Sequence, residues 1–125
     1  MHLMLAYDHS RNSRIALDAV IEMFGTLKPT VTLISVIEDV GSATAGADDM
    51  FNEQFAAQKA GTEAAAAELN AHGFTAKVML ADGDARKMIL RATEEKKPDL
   101  LVMARHSHQP DTGPLGFFTK RLDAL

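Results

Sequence analysis

The sequence predicts an α/β fold, an open parallel sheet with helices packed on both faces. Three observations carry that prediction. Short apolar or β-branched runs alternate with stretches of helical periodicity in the order β-α-β-α-β-α-β-α. Right-handed crossovers between parallel strands produce that alternation. The run Leu100-Leu101-Val102-Met103-Ala104, set between Pro98 and a basic loop, is too short for a buried helix and has no polar side. It reads as a strand covered on both faces. A chain of 125 residues, 46% hydrophobic and 24% charged, is also an ordinary globular composition with enough length to bury one core. Residues 1–125 are therefore expected to form a single domain. In open α/β sheets ligands bind beyond the carboxyl ends of the strands, where the strand order reverses. That rule directs attention to Arg105 through Pro114.

Leu3 to Tyr7 is a first apolar strand, ended by the turn and cap residues Asp8-His9-Ser10. Ile15, Ala16, Ala19, Val20, Met23, Phe24 and Leu27 then recur three or four apart, the stripe of an amphipathic helix. Ser10 or Asn12 caps its start, and Pro29 forbids its continuation. Thr30 to Ile37 is a β-branched second strand. A Gly/Ser/Thr-rich loop spans Glu38 to Asp49, and a long helix follows from about Met50 to His72, with Phe51, Phe55, Ala65 and Leu69 as core contacts. Gly73 suits the left-handed position just past a helix end. Phe74 to Leu80 alternates and carries Lys77, a pattern that fits a sheet edge. Asp84 caps a third helix that presents Met88, Ile89 and Ala92 and stops before Pro98. After the Leu100 strand and a polar loop, a last helix is expected from about Leu115.

Composition excludes several function classes. A net charge of −4 leaves no basic surplus for nucleic acid. Without cysteine there is no disulfide framework, thiolate metal site or cysteine nucleophile. No apolar stretch approaches the roughly 20 residues that span a bilayer, and the apolar start reaches Asp8 too soon for a signal peptide. The expectation is a cytoplasmic domain with neither membrane nor nucleic-acid partners.

Several segments, in order and at matching spacing, resemble the universal stress protein family. Leu5-Ala6-Tyr7-Asp8-His9-Ser10 with Asn12-Ser13 and Ala16-Leu17 is similar to the family's opening V-A-x-D-G-S strand, turn and helix. Leu33 to Glu38 resembles its second strand, Gly83-Asp84-Ala85 with Ile89 and Ala92 its G-x-P/A segment, and Asp99 to Met103 its D-L-I-V-M-G. The resemblance implies a flavodoxin-like sheet of order 3-2-1-4-5, a role in stress response, homodimers, and in some members an adenine nucleotide such as ATP or AMP. On matching positions it implies Asp8 and Ile37 at the adenine end, with Ala104, Ser107 and Gly116 on the phosphate signature. That signature reads Gly, two residues, Gly, nine residues, Gly, then Ser or Thr. Here Ala104 and Ser107 stand at the first two glycines, Gly116 falls one residue early, and Phe117 follows in place of a hydroxyl. The family's closing fifth strand is also expected to be missing, leaving four strands in order 3-2-1-4.

Residue chemistry adds a second candidate. Asp8 and His9 follow strand one, and Arg105, His106, Ser107 and His108 follow strand four, its neighbour across the switch point. Asp8, His9, His106 and His108 together would make a competent donor set for zinc or a similar ion. The plain alternative is a solvated polar loop. No nucleophile stands paired with a base. The leading reading is thus a non-enzymatic, cytoplasmic stress-response module with a degenerate nucleotide site and only millimolar affinity for ATP. The alternatives are a small enzyme or metal- or anion-binding protein using the histidines, and a purely structural dimerisation domain. A homodimer is expected through strand four and the C-terminal helix, with Leu115, Phe117, Phe118 and Leu122 as its apolar surface.

Overall fold

Five strands and three helices account for the described residues of this computed structural model, 1–38, 47–104 and 117–121, with the backbone alone described at 47–50 and 117–121. They are β1 (His2–Ala6), α1 (Arg11–Phe24), β2 (Thr30–Ile37), α2 (Ala47–Ala71), β3 (Thr75–Asp82), α3 (Ala85–Lys96), β4 (Leu100–Ala104) and β5 (Phe117–Arg121). The first four strands are parallel and lie in the expected order 3-2-1-4. β3 is an edge, as its alternation predicted.

Three helix ends follow the chemistry read in the sequence. The Ser10 side chain caps α1 by accepting from the Ser13 amide at 3.1 Å, and Asp84 caps α3 through the Lys87 amide at 3.1 Å. α2 ends in a Schellman turn. The Phe74 amide reaches back to the Leu69 carbonyl at 3.1 Å, and the Gly73 amide to that of Asn70 at 3.0 Å. Gly73 itself holds φ 90°. Leu69 and Phe74, the two apolar ends of this turn, are both buried in one core.

Two cores flank the sheet. On one face Leu3, Leu5, Val31 and Leu33 pack under Ala16, Leu17 and Val20 of α1 and Ala65, Ala66 and Leu69 of α2. On the other, Met4, Ile34 and Leu101 meet Ile89 and Ala92 of α3. The chain steps outward from β1 to β3 and then returns to β4, so right-handed crossovers put α1 and α2 on one face and α3 on the opposite one. At the end of the α1 stripe the structure departs from expectation. α1 stops at Phe24, and Met23 and Leu27 are 60% and 68% exposed.

α2 begins at Ala47, earlier than expected, and is longer than the sheet beneath it. Its 25 residues extend roughly 37 Å at about 1.5 Å each. The 8-residue β2 extends roughly 26 Å. Among the described side chains, the fully buried positions of α2 begin at Thr62. The described turns before it stand above the carboxyl end of the sheet, where Phe51 and Phe55 are half-buried and pair with each other at 6.2 Å.

The border beside β4 corrects the sequence reading. A helix from about Leu115 and a bare β4 edge were expected, with no fifth strand. Instead Phe117–Arg121 forms β5, antiparallel to β4, with Ala104 opposite Phe117 and Leu100 opposite Arg121. The physical reason is local. Phe117, Phe118 and Thr119 favour extended backbone, and pairing satisfies the β4 donors and acceptors that a four-stranded sheet would leave open. The expected dimer contact along β4 therefore loses its basis, because β5 occupies that edge. Among the described residues no helix is long and apolar enough to cross a membrane.

Candidate functional site

Parallel strands deliver their carboxyl ends to one side, and there the structure opens a cleft of about 640 Å³. Its floor is Ala6, Tyr7 and Asp8 at the end of β1, Val36, Ile37 and Glu38 at the end of β2, and Met103 and Ala104 of β4. Gln54, Ala57 and Gln58 of the overhanging α2 form one wall. Ala85, Arg86 and Ile89 of α3 form the other.

Asp8 is fixed by a clasp with Ser13. Its Oδ1 accepts from the Ser13 hydroxyl at 2.6 Å and from the Ser10 amide at 2.9 Å, while its own amide donates to Ser13 Oγ at 3.1 Å. Ser13 is buried on the first turn of α1, so the helix start holds the carboxylate at the mouth of β1. Ile37 is buried beside it, and its carbonyl accepts from the Gly83 amide at 3.0 Å. On the α2 wall, Gln58 Nε2 donates to the buried Ser35 hydroxyl at 2.5 Å. Burial pushes the Tyr7 phenol above its ordinary 10.0; the Arg14 charge opposes that rise, and the Glu68, Asp8 and Asp18 carboxylates add to it. The phenol thus stays a neutral hydroxyl throughout the physiological range, in the core that Tyr7 shares with α1 and α2.

His9 does not line the cleft. Its backbone is left-handed at φ 68°, and its ring lies edge-on to Tyr7 at 4.9 Å and against α2. There Nε2 is 3.1 Å from the Gln58 carbonyl and 3.3 Å from Thr62 Oγ1. Thr62 itself donates to the same carbonyl at 2.7 Å.

Of the nucleotide positions read from the sequence, Asp8, Ile37 and Ala104 meet in this cleft. Ser107 and Gly116 lie outside the described residues, as do His106 and His108 of the expected metal set. Asp8 and His9, the two members that are described, serve different partners. Among the described residues no group of three His, Cys, Asp or Glu side chains is placed to hold a metal ion. Among the polar lining or supporting residues that escaped the sequence reading are Ser13, Ser35, Glu38, Gln54, Gln58 and Arg86. Only Ser13 left a signal, a hydroxyl one helical turn past the Ser10 cap and close in sequence to Asp8.

Residues 1–121 match the family model described as Universal stress protein family. The chain belongs to the universal stress protein family. Solved structures agree in fold. A universal stress protein family member from Burkholderia pseudomallei is 20% identical, with 84% of this chain and 81% of that one covered and a TM-score of 0.74. The universal stress protein UspA from Lactobacillus plantarum is 17% identical over 93% of this chain and 85% of its own, at a TM-score of 0.69. A universal stress protein solved in complex with cAMP is 20% identical over 81% and 73%, at a TM-score of 0.56. No curated protein matches the chain. In this universal stress protein Ala104, which the sequence resemblance matches to the signature's first glycine, is among the residues that line the cleft.

Proposed function

We propose that this protein is a non-enzymatic, cytoplasmic stress-response module that takes an adenine nucleotide in the cleft over β1, β2 and β4. The base end is held at Asp8 and Ile37, and the phosphates are gripped weakly around Ala104, Ser107 and Gly116. The observation that carries this reading is the cleft itself. At about 640 Å³ it falls within the usual size of small-ligand sites, and it brings together Asp8, Ile37 and Ala104, which the family resemblance assigns to the nucleotide. The cAMP complex of a structurally similar family member supports the ligand class. Weak phosphate binding follows from Ala104, whose side chain blocks the close backbone approach that a glycine permits. The non-enzymatic reading rests on how the described titratable groups are used. Asp8 is committed to Ser10 and Ser13, and Tyr7 is kept protonated. A homodimer completes the proposal, with β5 as the border strand nearest a partner.

An NMR titration of the full chain with ATP, AMP and cAMP tests the ligand class. Saturable shifts at the ends of β1 and β2 are expected, with dissociation constants near the millimolar range, about −4 kcal/mol. A micromolar constant for ATP would overturn the weak phosphate grip, and no saturable shift with any of the three would overturn the nucleotide site.

A further inference from the structure

If the glycine signature does not hold the ligand's anionic end, another group in the cleft must. The described lining contains two carboxylates, Asp8 and Glu38, and one cation, Arg86. An anionic ligand entering between those carboxylates is repelled unless the guanidinium meets it. Arg86 is suited to that task because, among the described residues, it has no hydrogen bond or ion pair and its side chain is exposed. Arg14, in contrast, is consumed: it binds both Glu68 oxygens at 2.6 Å and Asp18 at 2.9 Å. Arg86 is also the second residue of α3, and Ala85 and Arg86 both open onto the cleft. The partial positive charge at the start of that 12-residue helix adds to the charge of the side chain.

The two walls are chemically unlike. Asp8 is tied to α1 through Ser13, and Gln58 stands on α2, both helices lying on one face of the sheet. These are carboxylate and carboxamide groups, suited to the donors and acceptors of a nucleobase. Arg86 stands on α3, on the opposite face. We propose that Arg86 is the anion-recognising residue of this cleft, and that it selects a nucleoside phosphate over the uncharged nucleoside from the α3 wall. A guanidinium meets phosphate oxygens through two parallel N–H donors, which gives direction as well as charge. This inference rests on the nucleotide reading above and adds which residue supplies the selectivity.

The test is a titration of AMP and adenosine into the full chain and into the variants Arg86→Ala, Arg86→Lys and Lys87→Ala, each checked for an unchanged thermal transition. The wild-type protein is expected to bind AMP about tenfold more tightly than adenosine, the scale of one charge-assisted contact. Arg86→Ala should remove most of the AMP preference, leaving only the weak grip near Ala104, without changing adenosine. Arg86→Lys should keep part of the difference. Lys87→Ala, which alters a neighbouring exposed cation outside the cleft, should leave both ligands unchanged. AMP binding that survives Arg86→Ala at full strength would overturn this inference and leave the nucleotide site standing. A Lys87→Ala loss equal to that of Arg86→Ala would overturn it as well, reducing the effect to general charge. A wild-type chain that binds neither AMP nor adenosine would overturn both readings together.

Discussion

A methyl group added at Gly61 would lie 2.0 Å from His9 Cε1 and 2.4 Å from Nδ1. A glycine inside a helix costs about 1 kcal/mol relative to alanine, so the imidazole explains why α2 carries one there. His9 in turn holds a left-handed backbone where the family's opening motif has glycine, at a cost of about 1 kcal/mol or more. Its ring contacts with Tyr7, Gln58 and Thr62 offset that strain. Gly61→Ala should therefore give little or no gain in the wild-type chain, because the new methyl group displaces the ring. In a His9→Ala background, where the backbone strain is retained and the ring is gone, it should stabilise by about 1 kcal/mol. Urea unfolding of the four variants reads the difference, and equal gains in both backgrounds would show that the ring is not held against α2. At this scale the sequence was legible where a residue ends an apolar run or caps a helix, as Asp8, Ser10 and Asp84 do. Ser35, Gln58 and Arg86 were not legible. A polar residue on a strand or helix face becomes part of a site only when the topology brings that face to the cleft.

Between elements, the contact with the clearest electrostatic signature joins α1 to α2. Arg14 and Glu68 pair in a two-pronged arrangement at 2.6 Å. Hydrogen bonding to Arg14 is the main reason the Glu68 carboxyl lies below its ordinary 4.5. Because the folded value is depressed, the stabilisation is complete at pH above 4.5 and is lost as the pH falls through the folded value. The side chains are 48% and 33% exposed, so solvent screening keeps the contribution small. Even with this geometry it is about 0.5–1 kcal/mol. Glu68→Gln should lower stability by that amount at neutral pH, lose its effect in acid, and matter less in high salt. Chemical denaturation at pH 7 and pH 3 checks this, and an equal deficit at both values would rule out the charge pair as its cause. The helices were legible from their stripes and caps, whereas β5 was not. Phe117, Phe118 and Leu122 fit helical spacing as well as strand propensity, and five residues are too few for periodicity to decide. What decides is the open edge of β4, a property of the assembled sheet and not of the segment.

For the whole molecule, the order 3-2-1-4 followed from alternation together with the family resemblance, since strand pairing is not written in any one segment. The added strand moves the border of the sheet outward, and among the described residues no strand pairs with the far side of β5. An open border strand invites pairing, and a two-fold partner satisfies it in a closed assembly. The full chain is expected to sediment as a dimer at micromolar concentration, with more than about 1,000 Å² buried in total. A monomer under those conditions would overturn the assembly. The antiparallel return of β5 also gives the molecule two unlike poles. β1 starts at His2 and β5 finishes at Arg121, and through the register with β4 both points lie at the amino-end pole, two strand spacings or roughly 10 Å apart. The cleft occupies the other pole. Any domain, tag or surface attached through either of these points joins the molecule on the side away from the cleft, so the protein can be tethered from one end with the cleft left open at the other.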